Sequence, residues 1–433
     1  MSLEKKYGII SYEKKPIKLN GNDVQNMGEW LQMFAVEYLF REWGIKETLH
    51  ISRNEASRYS GDSCVVFVNG YNTCNNARNL STNTFPLPAK IKPVFLSFHF
   101  CNRYIPAQLK EQLVMHAPIG CRDEETRDNL RNHGISAYTT GCVSALLPKR
   151  SAEAAANADK VFFVDTPERL MPFVPSNIRQ KAEFVSNLYP LTRTDGEPIM
   201  TEEESRCSCA YAAERYKKYY YEAKLIVTSR LHVAAPAVAM GIPCILVAEN
   251  FDGRYAWLDK WLPLYTSDKF DKIDWNPQQI EYEEEKKRIK DGLRKIFLEQ
   301  TDKEEELKKI DTYFNNRTRG NYNTVYRNAL MKYSFLPYNT KYAIWGTIEG
   351  KSNQLKFSIE EIYPRWEFVG IYDKYVQGNF EGHIIQSSEN IEDSQDMVYF
   401  VMSPAIYKEA KMKVKKGKIF FVDITNGLFE GNF

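Results

Sequence analysis

The sequence predicts an α/β protein: two Rossmann-like halves built on parallel sheets, followed by a smaller α/β unit. Three observations carry this. Residues 225–249 read as strand, loop, helix, strand, and residues 117–134 read as strand, tight switch, helix. Apolar β-branched runs alternate with helical stretches along most of the chain, the pattern of parallel strands joined by helical crossovers. At 433 residues the chain exceeds one ordinary core, so segments 1–150, 151–335 and 340–433 are expected as three domains.

In the first segment, Trp30, Leu31, Phe34, Leu39 and Phe40 recur at helical spacing between Gly28 and Trp43, and Gly44 stops the helix. Strands follow near 64–68, 93–98 and 117–121. Asp123 is a good N-cap for a helix over Glu124–Asn132, Gly134 stops it, and a short strand runs from Ala137 to Thr140. An Ala/Asn/Asp-rich stretch, Ser151 to Asp159, separates the second segment. Its strands are expected near 161–165, 183–187, 225–229 and 243–248, with a Tyr-rich helix over about 203–223. Charged helices between Glu281 and Asn316 read as solvated surface strapping the halves together. Leu336–Asn339 reads as a linker. Beyond it come strands at 341–345, 367–372, 397–401 and 418–422, a helix opening after Gly346, and another starting at Pro404.

Composition excludes several function classes. Lys and Arg number 58 against 56 Asp and Glu, a net charge of +2, and no clustered basic face marks a nucleic-acid partner. The eight cysteines are scattered; only Cys207 and Cys209 are close, at a spacing that suits neither zinc nor redox pairs. Buried free thiols and a reducing, cytoplasmic setting are expected. No secretory core opens the chain. The longest apolar stretch, 231–248, is broken by His232, two prolines and a glycine, so no membrane span is expected.

The chemistry concentrates where strands hand over to helices. Pro236 suits a helix's first turn, which places the helix start near Leu231 or His232. Arg230 and His232 then join the unpaired amides of that helix end in an anion site for phosphate or carboxylate. The bland alternative is a salt bridge beside a capped turn. Arg122 is a second cation at such a switch, and two switches facing one crevice are how open α/β sheets bind ligands. In the third unit, Gly346 to Ser352 is one residue short of a phosphate loop, and Asp373 sits where a ribose-binding acid would. Docking or assembly is the preferred reading of that unit.

Ser229-Arg230-Leu231-His232 followed by Ala-Met-Gly-Ile-Pro, with Gly120-Cys121-Arg122-Asp123-Glu124 and Thr140-Gly141-Cys142, resembles the polysaccharide pyruvyl transferase family. Asn20-Gly21-Asn22-Asp23-Val24-Gln25-Asn26 is similar to the family's Asn/Gly-Asp-x-x-Gln loop. Val65 to Gly70 and Phe95 to His99 resemble two family strands with polar ends. The likeness covers roughly residues 5–330. Val233 stands where the family usually has Gly or Ala, and Asn69-Gly70 replaces a more Gly-rich strand end.

The resemblance implies a GT-B arrangement of two facing halves and the transfer of pyruvyl from phosphoenolpyruvate onto two hydroxyls of one sugar, forming a ketal in a cell-surface polysaccharide. No cofactor or metal is implied. Arg122 and Arg230 would clamp the donor's two anionic groups, and His232 would be the general acid, protonated mainly when substrate is bound. Asn22, Asp23, Gln25, Asn69, His99, Ser229 and Arg254 are the substrate-binding candidates. Asp23 or Asp123 could take hydroxyl protons, although Asp123 reads better as a cap. The acceptor is a sugar, glycan or lipid-linked saccharide, and a homo-oligomer is left open. Two rivals remain. A GT-B glycosyltransferase using a nucleotide sugar would want a second glutamate eight positions after Glu249, where Trp257 stands. A non-catalytic carbohydrate-binding or assembly protein would have no need of three convergent cations.

Overall fold

The computed structural model describes residues 5–12, 17–19, 22–72, 84–100, 105–191, 200–249, 251, 253–299, 301–315, 329–330, 333–347, 351–380, 382–389, 391 and 393–422. Asn20, Gly21, Cys74, Cys101 and Asp252, singled out in the sequence, lie outside these residues, as do 348–350 of the third unit's glycine turn.

The first unit runs β1 (Lys6–Ser11), β2 (Ile17–Leu19), β3 (Asn22–Asn26), α1 (Met27–Glu42), β4 (Thr48–Ser52), β5 (Cys64–Asn72), β6 (Ile91–Phe100), α2 (Ala107–Met115), β7 (Ile119–Cys121), α3 (Glu124–Asn132) and β8 (Ala137–Thr139). Its sheet has the order β4-β1-β5-β6-β7-β8 and is parallel throughout. The order reverses between β1 and β5. That switch leaves a crevice at the carboxyl ends of these two strands, the general ligand position of open α/β sheets.

The second unit runs α4 (Ala152–Asn157), β9 (Lys160–Val164), α5 (Ser176–Arg179), β10 (Ala182–Val185), β11 (Leu188–Pro190), α6 (Glu202–Glu222), β12 (Ala223–Thr228), α7 (Leu231–Met240), β13 (Cys244–Val247) and β14 (Leu264–Tyr265). Its sheet, β10-β9-β12-β13-β14, is also parallel and switches between β9 and β12. The strand ends there are Asp165 and Ser229-Arg230. Helices α8 (Glu283–Arg294) and α9 (Lys303–Asn315) follow. The third unit runs β15 (Lys341–Trp345), α10 (Lys351–Ile362), β16 (Glu367–Asp373), β17 (Asn379–Phe380), β18 (His383–Ser387), β19 (Met397–Val401), α11 (Pro404–Lys413) and β20 (Lys418–Phe421), with the order β17-β18-β16-β15-β19-β20. Only β17 runs antiparallel to its neighbour in that sheet.

The chain is thus α/β with several parallel sheets, as the alternation of strands and helices requires. Two features tie the first two sheets together. One is a small antiparallel sheet, β11-β3-β2, in which Leu188–Pro190 of the second unit pairs with the β3 hairpin of the first. The other is a shared apolar core: Ile9, Trp30 and Phe67 lie in one buried cluster with Phe162, Ile226, Val238 and Leu246. Helices α8 and α9 are charged outside, as expected, but they also return to the first unit. Phe297 packs its ring against Tyr7, Phe40, Trp43 and Phe67, and Asp311 of α9 accepts from Thr139 N at 2.6 Å. The third sheet has apolar cores of its own, around Tyr342, Ile344 and Phe400 and around Trp345 and Tyr399.

Cys64, Cys121, Cys142 and Cys244 are buried free thiols, whereas Cys207 and Cys209 are half-buried on α6. Among the described residues, no helix is long and apolar enough to cross a membrane.

Candidate active site

Arg122 follows β7 directly, and its amide continues the sheet by donating to Phe98 O at 2.8 Å. Asp123 then caps α3. Its Oδ1 accepts from Thr126 N at 3.0 Å and from Thr126 Oγ1 at 2.8 Å. The same carboxylate does more than cap: Oδ2 receives Arg122 Nε at 3.1 Å and His99 Nδ1 at 2.8 Å. All three residues are buried. Burial alone would raise the Asp123 carboxyl, yet the His99 ring, the Arg122 guanidinium and the cap bond hold it well below the carboxylate range. Asp123 is therefore an anion spent inside the cluster, a poor base for sugar hydroxyls.

His232 comes from the other half. At this residue α7 leaves helical geometry (φ −82°, ψ 17°). That break explains how Pro236 is tolerated as the sixth residue of a helix: the carbonyl its missing N–H would have met belongs to His232. The ring packs against the first turn of α1, where a Cβ on Gly28 would come within 2.6 Å of His232 Cβ and overlap the imidazole. Only glycine admits the ring here. His232 Nε2 is buried and has no hydrogen-bond partner among the described residues. Burial, then the charges of Arg122, Arg254 and His99, lower the imidazole well below its ordinary value. His99 is lowered too, by burial first and Arg122 next, against the pull of Asp123. Arg254, on the 3-10 turn Gly253–Lys260, acts on both rings.

Arg122, Arg254, His99 and His232 are thus drawn together from both halves. Arg230 sits differently. Its side chain is 43% exposed against 3% for Arg122, and its Nε donates to Asp165 Oδ2 at 2.8 Å. Ser229 points its hydroxyl to the Asp165 carbonyl, so that oxygen is engaged within the protein. Asp165 also accepts from Asn187 N at 2.9 Å; Asn187 in turn meets Asn26, the N-cap of α1, which accepts from Gly28 N at 2.9 Å. Arg230 and His232 are neighbours in sequence that anchor in different networks.

The remaining candidates lie on β3 and β5. Asn22 is exposed at the start of β3 and Asp23 is half-buried beside it. Gln25 is buried and donates to Tyr12 O at 3.4 Å. Asn69, at the carboxyl end of β5, is buried, and its carbonyl accepts from Tyr12 Oη at 3.1 Å. Several residues here escaped the sequence reading. Glu29 and Arg53 form a buried ion pair at 2.9 Å, Arg53 lies over the Tyr12 ring, and Gln32 and Asn72 are buried beside them. Asp165 alone left a signal, as a polar residue closing the run Val161–Val164.

In the third unit Asp373 is fully engaged. Its Oδ2 accepts from Thr347 N at 2.7 Å and Thr347 Oγ1 at 2.6 Å, and its Oδ1 takes the amides of Tyr375 and Val376. These bonds make it a turn-former, not an acid awaiting a ribose.

A family model described as polysaccharide pyruvyl transferase matches residues 11–250, the span that holds Tyr12, Arg122, Arg230 and His232. No curated protein matches the chain.

Proposed function

Since the chain belongs to the polysaccharide pyruvyl transferase family, we propose that it transfers the pyruvyl group of phosphoenolpyruvate to two hydroxyls of one sugar. A GT-B-like facing of the two halves suits that reading, because donor and acceptor would then meet between two strand-end switches. The observation that carries it is His232: a half-buried residue whose imidazole Nε2 is shut off from solvent and unmet, with Arg122 and Arg254 acting on the ring. Such a site is short of negative charge, and a phosphate dianion supplies it. Arg122 and Arg254 would hold the donor from below, and the half-exposed Arg230, whose Nε is bonded to Asp165, would hold it from the rim.

The bound dianion would raise the His232 imidazole and let it take a proton. His232 then delivers this proton to the methylene carbon of phosphoenolpyruvate, C2 becomes electrophilic, and the first sugar hydroxyl forms a C–O bond to it. Phosphate leaves with the C2–O electron pair, and the second hydroxyl closes the ketal. One hydroxyl proton replaces the proton used at the methylene; the other leaves with phosphate. Asn22, Asp23, Gln25, Asn69 and His99 stand on the acceptor side of this scheme, His99 chiefly as the ring that keeps Asp123 and Arg122 in place. The test is phosphate release from phosphoenolpyruvate in the presence of a sugar panel. Release that His232→Gln lowers by about a hundredfold or more is expected; nucleoside diphosphate release from a sugar nucleotide instead would refute the proposal.

A further inference from the structure

We infer that the cleft between the carboxyl end of α3 and the β17–β18 hairpin binds a phosphomonoester, whose phosphate bridges the first and third units. Binding there does not depend on pyruvyl transfer.

The cleft has a volume of about 670 Å³, within the range of small-molecule sites. Lys110, Arg131 and His133 line it from the first unit, and Gln377, Asn379 and Ile384 line it from the third. Among the described residues no carboxylate lines it. Lys110 has no acidic partner there either, and Arg131 spends only Nε, on Ala137 O at 2.8 Å, with its guanidinium 5.3 Å from the centre of the Tyr138 ring. The Nη groups of Arg131 stay available. A second cleft, of about 620 Å³ beside α8, shows the contrast: its cations are already neutralised, Lys290 by Glu42 and Lys286 by Glu283. The first cleft holds positive charge that nothing described answers.

The carbonyl end of a helix disfavours anions when it is bare. At α3 it is covered. Asn129 O meets His133 Nδ1 at 2.8 Å, Leu130 O takes the amides of His133 and Ile135 at 3.0 Å each, and Arg131 O takes Gly134 N at 2.9 Å. Glycines keep the walls bare, since a Cβ on Gly134 or on Gly382 would meet nothing within 4 Å. The donors name the ligand. An ammonium, a guanidinium and the exposed carboxamides of Gln377 and Asn379 all give protons, and phosphate oxygens only accept. Burial and the charge of Lys110 lower the His133 imidazole, so a dianion beside it would raise the ring and gain a third cation. Ile384, 75% exposed on β18, offers an apolar wall to the organic part of an ester. The third unit has apolar cores of its own, so a ligand gripped from both walls adds a tie between units that the cores do not provide.

The test follows the His133 ring by NMR of the full chain at constant ionic strength, its signal identified by its loss in His133→Gln. The probes are glucose 1-phosphate and adenosine monophosphate, which separate a sugar phosphate from a nucleotide, with inorganic phosphate and glucose as controls. At least one ester should move the ring signal at lower concentration than inorganic phosphate does, and glucose should leave it in place. Lys110→Ala and Gln377→Glu change exposed residues, one on each wall. Each should raise the ester concentration needed by about tenfold. An unchanged thermal midpoint reports that a variant folds; if one does not, the other carries the test. No shift with either ester, the same shift with glucose, inorganic phosphate as tight as both esters, or equal ester dependence in wild type and variants would each overturn the site.

Discussion

His232 and His99 are imidazoles that burial and nearby guanidinium groups keep neutral. In the unfolded chain both take up protons near the ordinary value of 6.5, but in the folded protein they do so only at lower pH. The unfolded state therefore binds more protons between those limits, so stability is complete above about pH 6.5 and falls as the pH drops through that window. Asp123 adds to the loss further down, since its carboxyl ordinarily titrates at 3.8 and is lowered here. Thermal midpoints should accordingly decline between pH 7.5 and 5, and saturating phosphoenolpyruvate should flatten the decline by letting His232 be charged in the folded state. A midpoint that does not change over that range would count against the buried neutral rings. The positions of Arg122 and His232 at strand-to-helix handovers were legible in the sequence, because apolar runs and cap residues flank both. Gly28 was not, because what it accommodates arrives from 204 residues away.

Helix α3 shows how much local signals determine. Asp123, the acidic first turn and Gly134 fix Glu124–Asn132 without tertiary help, and the observed helix has those bounds. Strands Lys341–Trp345 and Met397–Val401 likewise match their apolar runs. Strand β11 and its pairing with β3 escaped because the partner is more than 160 residues distant, and Thr48–Ser52 is a short edge strand with little apolar character. The dual use of Asp123 also lies beyond sequence: a cap is visible, a buried ion triad is not. Asp123→Ala should therefore cost more than the roughly 1 kcal/mol of a lost cap. It strands the Arg122 guanidinium in the interior, and a loss of about 3–5 kcal/mol is expected in urea unfolding. Asp123→Asn, which can still cap, should lose less.

At the scale of the molecule, the third sheet closes on apolar clusters separate from those of the first two. It touches the first unit at the far end of α3: a Cβ on Gly378 would lie 3.2 Å from Asn132 O, at the end of that helix opposite Asp123. A chain ending at residue 315 should fold and keep its thermal response to phosphoenolpyruvate; loss of that response would show that the third unit supports the site. The first two sheets are another matter. Ile9, Phe67, Ile226 and Leu246 belong to one continuous interior, and prying its sides apart would wet that interior at about 25 cal/mol for each Å² exposed. Wide rocking of one half against the other is thereby suppressed. A ligand of the strand-end crevice is therefore expected to enter along its rim, as through a doorway in a stiff wall, without the two halves parting like jaws.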